Sequence, residues 1–225
     1  MHSPLLQLAT LNIKIAILER DIMNESKAHL KSTSKWGSLL FIIAGIFMLI
    51  NTAFLWIHYY SGFELSLVWA AIPAIIALTS SILGLLKLYP QARKNAPLIA
   101  KTGAIFALLA SASISIAALW ILYVSMLGEG MPEQRPQWFL AIIAIFMIAM
   151  ILAFLSNAVA FWLDRFLRKI GILLAVPLLM WAIMLVVGAL KGMEAGLSLD
   201  YYTNAVIAGA FLALGFLIKK NNTNG

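Results

Sequence analysis

Eight side chains able to hydrogen-bond interrupt otherwise apolar stretches of this sequence: Asn51, Thr79, Ser80, Ser81, Ser111, Ser115, Asn157 and Trp181. Amides and hydroxyls in such places do one of two things. They line a path or site for a small neutral solute, or they satisfy one another and nearby backbone carbonyls where helices pack. The two asparagines are the sharper candidates, because an amide has several hydrogen-bonding sites to fill. Asn51 falls near one end of its stretch and Asn157 at the opposite level, so a single site would not hold both. Trp181 lies mid-stretch, where its indole N–H needs a partner. No Asp, Glu, His, Lys or Arg falls clearly within these stretches. A proton relay or a carrier of charged solutes would need one at membrane depth, so neither is expected.

The search for catalytic, metal or cofactor chemistry returns nothing specific. Cys is absent and there are three histidines, His2, His29 and His58, far apart in the chain. That removes thiol nucleophiles, thiolate metal sites and a histidine-rich cluster. Ser32-x-x-Lys35 has a Ser/Lys spacing, but it is short and has no companion motif. His-Glu-x-x-His and a glycine-rich phosphate loop are both lacking. The acids Glu64, Glu129, Glu133, Glu194 and Asp200 read as a solvated face rather than a cation site. The expectation is a protein that is not an enzyme, with no metal and no cofactor.

The elements that must position these residues are membrane spans. With 63% hydrophobic and 11% charged residues, the chain lies far from the roughly 25% charge of soluble domains. Six apolar runs, at 36–60, 67–86, 103–127, 138–163, 170–190 and 202–218, each approach or exceed the roughly 17 to 25 residues that a bilayer crossing requires. Fourteen of the sixteen Lys and Arg residues fall before the first run, in the second and fourth connectors, or after the last run. The first, third and fifth connectors hold five of the nine acids but only Arg135 and Lys191. By the positive-inside rule this predicts six spans with both termini cytoplasmic, in a plasma or inner membrane. It also explains the net charge of +7 without nucleic acid.

The expected fold is an all-α bundle of six membrane helices over residues 36–220, with a short polar tail at 221–225. Ahead of it, residues 1–35 read as a cytoplasmic amphipathic helix. Ser3-Pro4 suits a helix start, and Leu8, Leu11, Ile15, Leu18 and Ile22 follow 3-4-3-4 spacing along one face of a helix over about 5–31. Five large aliphatics left in water would forfeit on the order of 5 to 10 kcal/mol, so something must cover this seam. Its mixed charges suit a protein partner better than anionic lipid.

Lys35-Trp-Gly37, Lys101-Thr-Gly103 and Lys169-Ile-Gly171 open the first, third and fifth runs at offsets of 66 and 68 residues, which raises three tandem hairpins as an expectation. Mitochondrial carriers also use three hairpins, but their Pro-x-Asp/Glu-x-x-Lys/Arg signature does not occur here. Small residues recur every four positions at Gly103, Ala107, Ser111 and Ser115, at Ala149, Ala153 and Asn157, and at Ala205, Gly209 and Ala213. Such stripes let helices approach closely. Pro73 and Pro177 each remove a backbone donor and predict kinks in the second and fifth spans. Aromatic residues near the span ends, Trp56, Tyr60, Trp120, Trp138, Tyr201 and Tyr202 among them, read as an interfacial belt. Two functional expectations follow. The first is a subunit or scaffold of a membrane complex, binding lipid and a protein partner or second copy through the N-terminal seam and the small-residue faces. The second is a permease or substrate-binding component for a small neutral or apolar ligand.

Overall fold

A computed structural model describes residues 35–60, 67–126, 136–165, 167–191 and 199–223. The seam Leu8, Leu11, Ile15, Leu18 and Ile22 lies outside the described residues, as do Glu64, Glu129, Glu133 and Glu194.

Six α-helices follow one another: α1 (Lys35–Tyr60), α2 (Leu67–Asn95), α3 (Pro97–Met126), α4 (Gln137–Trp162), α5 (Arg168–Lys191) and α6 (Asp200–Thr223). Among the described residues there is no strand, and all six helices are long and apolar enough to cross a membrane. The chain is thus an all-α protein whose helices fit a multi-pass membrane protein, because a helix satisfies every backbone group within its own segment.

Helices α2 and α3 overrun the expected apolar stretches furthest at a single end. α2 continues through Lys87, Pro90, Arg93 and Lys94, and α3 begins at Pro97, six residues ahead of Gly103. Charge ends a membrane span but not a helix, and proline at a first helical position is tolerated because that N–H has no intrahelical partner. Only Ala96 separates the two helices, and its N–H reaches back to the Ala92 carbonyl at 3.0 Å. Pro73 and Pro177 fall inside helices as expected, and Pro90 joins them.

Each helix packs on the next, α6 returns to pack on α1, and α2 also touches α4. The ring is filled by side chains. Phe41 on α1, Phe211 on α6, Phe154 on α4 and Trp181 on α5 are all buried. They form a chain of ring contacts with centroid separations of 6.1, 5.9 and 5.7 Å. Ile82 and Leu85 from α2 and Ala107 and Ala110 from α3 complete the interior.

Glycines set how closely the helices approach. A Cβ on Gly215 would lie 2.9 Å from the Ser38 carbonyl, and one on Gly45 would lie 3.0 Å from the Ala208 carbonyl, so α1 and α6 meet almost backbone to backbone. The Ser38 hydroxyl donates to the Gly215 carbonyl at 2.8 Å across the same crossing. A Cβ on Gly171 would lie 2.8 Å from both the Ala158 carbonyl and the Trp162 nitrogen, which brings α5 onto α4. Gly37 and Gly103, the repeat counterparts of Gly171, face the following helix instead: Lys87 on α2 for the first, Asn157 and Ser156 on α4 for the second.

Candidate functional site

At the end of the bundle where α6 begins, α1, α2 and α6 are joined by a polar chain. The buried Asn51 on α1 donates from Nδ2 to the Ala70 carbonyl of α2 at 2.8 Å. Its Oδ1 accepts from Asn204 Nδ2 of α6 at 3.1 Å. Asn204 Nδ2 also donates to Asp200 Oδ1, one turn back on its own helix, at 3.2 Å. Asp200 opens α6, where the positive end of the helix dipole favours a carboxylate.

Sequence reasoning selected Asn51 but missed Asn204, which supplies the interhelical bond, and placed Asp200 on a solvated face. The signal that could have found them is the Asp200-to-Asn204 spacing of four residues, which puts both on one face of a helix.

Asn51 reaches α2 just ahead of Pro73. Pro73 has no N–H to offer the Trp69 carbonyl four residues back, and Asn51 binds the next carbonyl along, Ala70. Rings cluster at the same end: Trp56 stacks on Tyr60, and Tyr60 donates its hydroxyl to that of Tyr201 at 3.2 Å. A second aromatic group joins α3 and α4, with Trp120 4.1 Å from Phe139 and 5.9 Å from Trp138 between ring centroids.

Other candidates make their contacts elsewhere in the bundle. Asn157 is buried where α4 meets α3, its Nδ2 donating to the Ala153 carbonyl of its own helix at 2.8 Å. It sits against Gly103, whose added Cβ would meet it at 2.9 Å. Ser81 is fully buried and bonds the Leu78 carbonyl within α2, with Ser80 buried and Thr79 half-buried beside it. Ser115 is exposed and donates to the Ser111 carbonyl one turn back, and Ser111 itself is half-buried. Trp181 packs edge-on against Phe154 at the centre of the bundle. Hydroxyls turned onto their own helix satisfy themselves locally, so they need no solute.

The small-residue stripes divide. Ala149, Ala153 and Asn157 are buried, as are Gly103 and Ala107, although the α3 stripe turns outward by Ser115. Ala205, Gly209 and Ala213 on α6 are all exposed, and a Cβ added to Gly209 would meet nothing within 4 Å.

At the other end, Asp164 Oδ1 accepts the Leu167 N–H at 3.3 Å and caps the turn that opens α5. Arg168 lies over the Trp162 ring at 5.5 Å, a cation–π contact. Among the described residues no three His, Cys, Asp or Glu side chains gather as a metal ion would require. The sequence matches no known protein family, no curated protein and no solved structure.

Proposed function

We propose that this chain is a non-catalytic multi-pass membrane protein that acts as a subunit or scaffold of a membrane complex, assembling through the outward face of α6 and the N-terminal segment. Its basic end, with both termini, faces the cytoplasm of a plasma or inner membrane. The observation that carries this reading is Gly209. Glycine inside a helix costs about 1 kcal/mol relative to alanine, and at Gly45, Gly171 and Gly215 that cost is offset by close approach of a neighbouring helix. Gly209, between Ala205 and Ala213, has no such neighbour among the described residues. A helix from outside would supply one. The interior supports the same reading, since buried aromatic rings fill the centre of the ring and three of the eight candidate path residues, Ser81, Ser115 and Asn157, are turned onto their own helices.

One observation favours the permease reading. The chain Ala70, Asn51, Asn204 and Asp200 places two amides and a carboxylate between three helices. Such a group can bind a small polar solute.

Comparing what co-purifies with wild type, Gly209→Leu and Asn51→Leu tests the two. A subunit keeps a stoichiometric protein partner or second copy that Gly209→Leu removes and Asn51→Leu leaves in place. A permease keeps a small molecule that Asn51→Leu removes. Loss of neither in either variant overturns both readings.

A further inference from the structure

The turn that joins α4 to α5 gathers positive charge at the surface. Arg165, Arg168 and Lys169 fall within five residues and all three are exposed. Asp164, the one acid among the described residues of the basic end, turns its Oδ1 to the Leu167 N–H at 3.3 Å. α5 has no acid in its first turn, so its own helix gives Arg168 and Lys169 no counter-charge at the end where the dipole is positive. The Arg168 guanidinium carbon lies over the Trp162 ring, 5.5 Å from its centroid, and this cation–π contact holds a side chain that would otherwise sample many rotamers.

That ring is itself exposed and ends an outward stripe. Ile148, Leu155, Val159 and Trp162 are exposed at helical spacing along α4. Trp138, also exposed, is 24 residues before Trp162, which sets the two indoles about 36 Å apart along the helix. That span exceeds the roughly 30 Å hydrocarbon core, so both rings reach the interfaces, as indoles prefer. Gly171 packs on the Ala158 and Trp162 backbone, which sets the first turn of α5 beside the last turn of α4. Arg168 therefore stands at phosphate depth, at the head of a stripe that lipid tails cover. Topology asks for basic residues at this end, but not for a guanidinium laid on an exposed ring.

We infer that the α4–α5 turn binds an anionic phospholipid, with its phosphate oxygens accepting from the Arg165 and Arg168 guanidinium groups and its tails along Leu155, Val159 and Trp162. A planar guanidinium offers paired donors that match two phosphate oxygens. Lys169 adds a third cation, and a zwitterionic headgroup such as phosphatidylcholine would bring a positive charge of its own into that cluster, so an anionic headgroup is favoured. A phosphate delivered on a lipid also gains the apolar stripe, whereas a phosphate from water would meet only exposed cations screened by salt. The other basic turn lacks this concentration: Lys87, Arg93, Lys94 and Lys101 are spread over fifteen residues of α2 and α3. The lipid site stands whether the chain is a scaffold or a permease.

Native mass spectrometry of the full chain in neutral detergent tests this, by titrating palmitoyl-oleoyl phosphatidylglycerol against the phosphatidylcholine with the same tails. A single phosphatidylglycerol should be held at least about tenfold more tightly than phosphatidylcholine, and Arg165→Gln with Arg168→Gln should abolish that preference. Arg93→Gln with Lys101→Gln removes the same charge from the other turn and should leave it in place. Trp162→Leu keeps every charge and should weaken phosphatidylglycerol by about threefold, because the guanidinium is no longer held. All five side chains are exposed, so the folded bundle tolerates the changes. Equal retention of the two lipids, equal losses from the two charge-removed variants, or a Trp162→Leu protein that binds as wild type overturns the inference. So does displacement of phosphatidylglycerol by millimolar inorganic phosphate, which would assign the cations to a soluble anion.

Discussion

Replacing Asn51 by leucine separates a hydrogen-bonded clamp from an idle polar residue. Leucine is close in size and equally confined, so the change mainly deletes two interhelical bonds, to Ala70 at 2.8 Å and from Asn204 at 3.1 Å. Such bonds inside membrane proteins average about 0.6 kcal/mol and reach about 1.7. Asn204 keeps Asp200 as a partner and is not stranded. The expected loss is therefore about 1 to 3 kcal/mol. Asn204→Ala should cost a similar amount, because it leaves Asn51 Oδ1 without its donor in a buried place. In a double-mutant cycle the pair should couple by roughly 0.6 to 1.7 kcal/mol. The assay is reversible unfolding in mixed micelles with increasing dodecyl sulfate, followed by helix content. Two single variants at wild-type stability, or single effects that simply add, would refute the clamp.

Glycine substitutions should sort by what surrounds them. Gly171→Ala drives a Cβ to 2.8 Å from two backbone atoms that cannot yield, and should cost at least the 1 to 3 kcal/mol typical of overpacking. Gly209→Ala meets nothing and should hold or raise monomer stability by up to about 1 kcal/mol, measured by the same unfolding. Phe154→Ala removes the ring that contacts both Trp181 and Phe211, and should cost about 3 to 5 kcal/mol. Asp164→Ala should lower stability by about 0.5 to 2 kcal/mol through loss of the cap at Leu167, with hydrogen exchange rising first in the opening turn of α5.

The six helices were legible because the bilayer imposes a length and a charge rule that any span must obey. Their rotation was not. A helix that is apolar all round has no face marked for burial, so the stripes of α3, α4 and α6 read alike, yet Gly103 packs against Asn157 while Gly209 faces outward. The expected separation of Asn51 from Asn157 comes from counting residues along two antiparallel spans; Asn51 bonds to α2 and α6, and Asn157 packs against Gly103 of α3. What counting cannot give is the partner. Asn204 sits beside Tyr201 and Tyr202, where polarity reads as interface, and only the approach of α6 to α1 turns it toward Asn51. Trp181 drew notice as a lone indole at mid-span, and its setting is the aromatic core made with Phe154.

The most direct test of the assembly reading is the mass of the protein released intact from its own membrane, by native mass spectrometry of wild type and Gly209→Leu. The account predicts a wild-type complex heavier than the 24.7 kDa chain by a second copy or a defined partner, and a Gly209→Leu protein reduced to the single chain. A lone chain in both, with or without a bound small molecule, would contradict it.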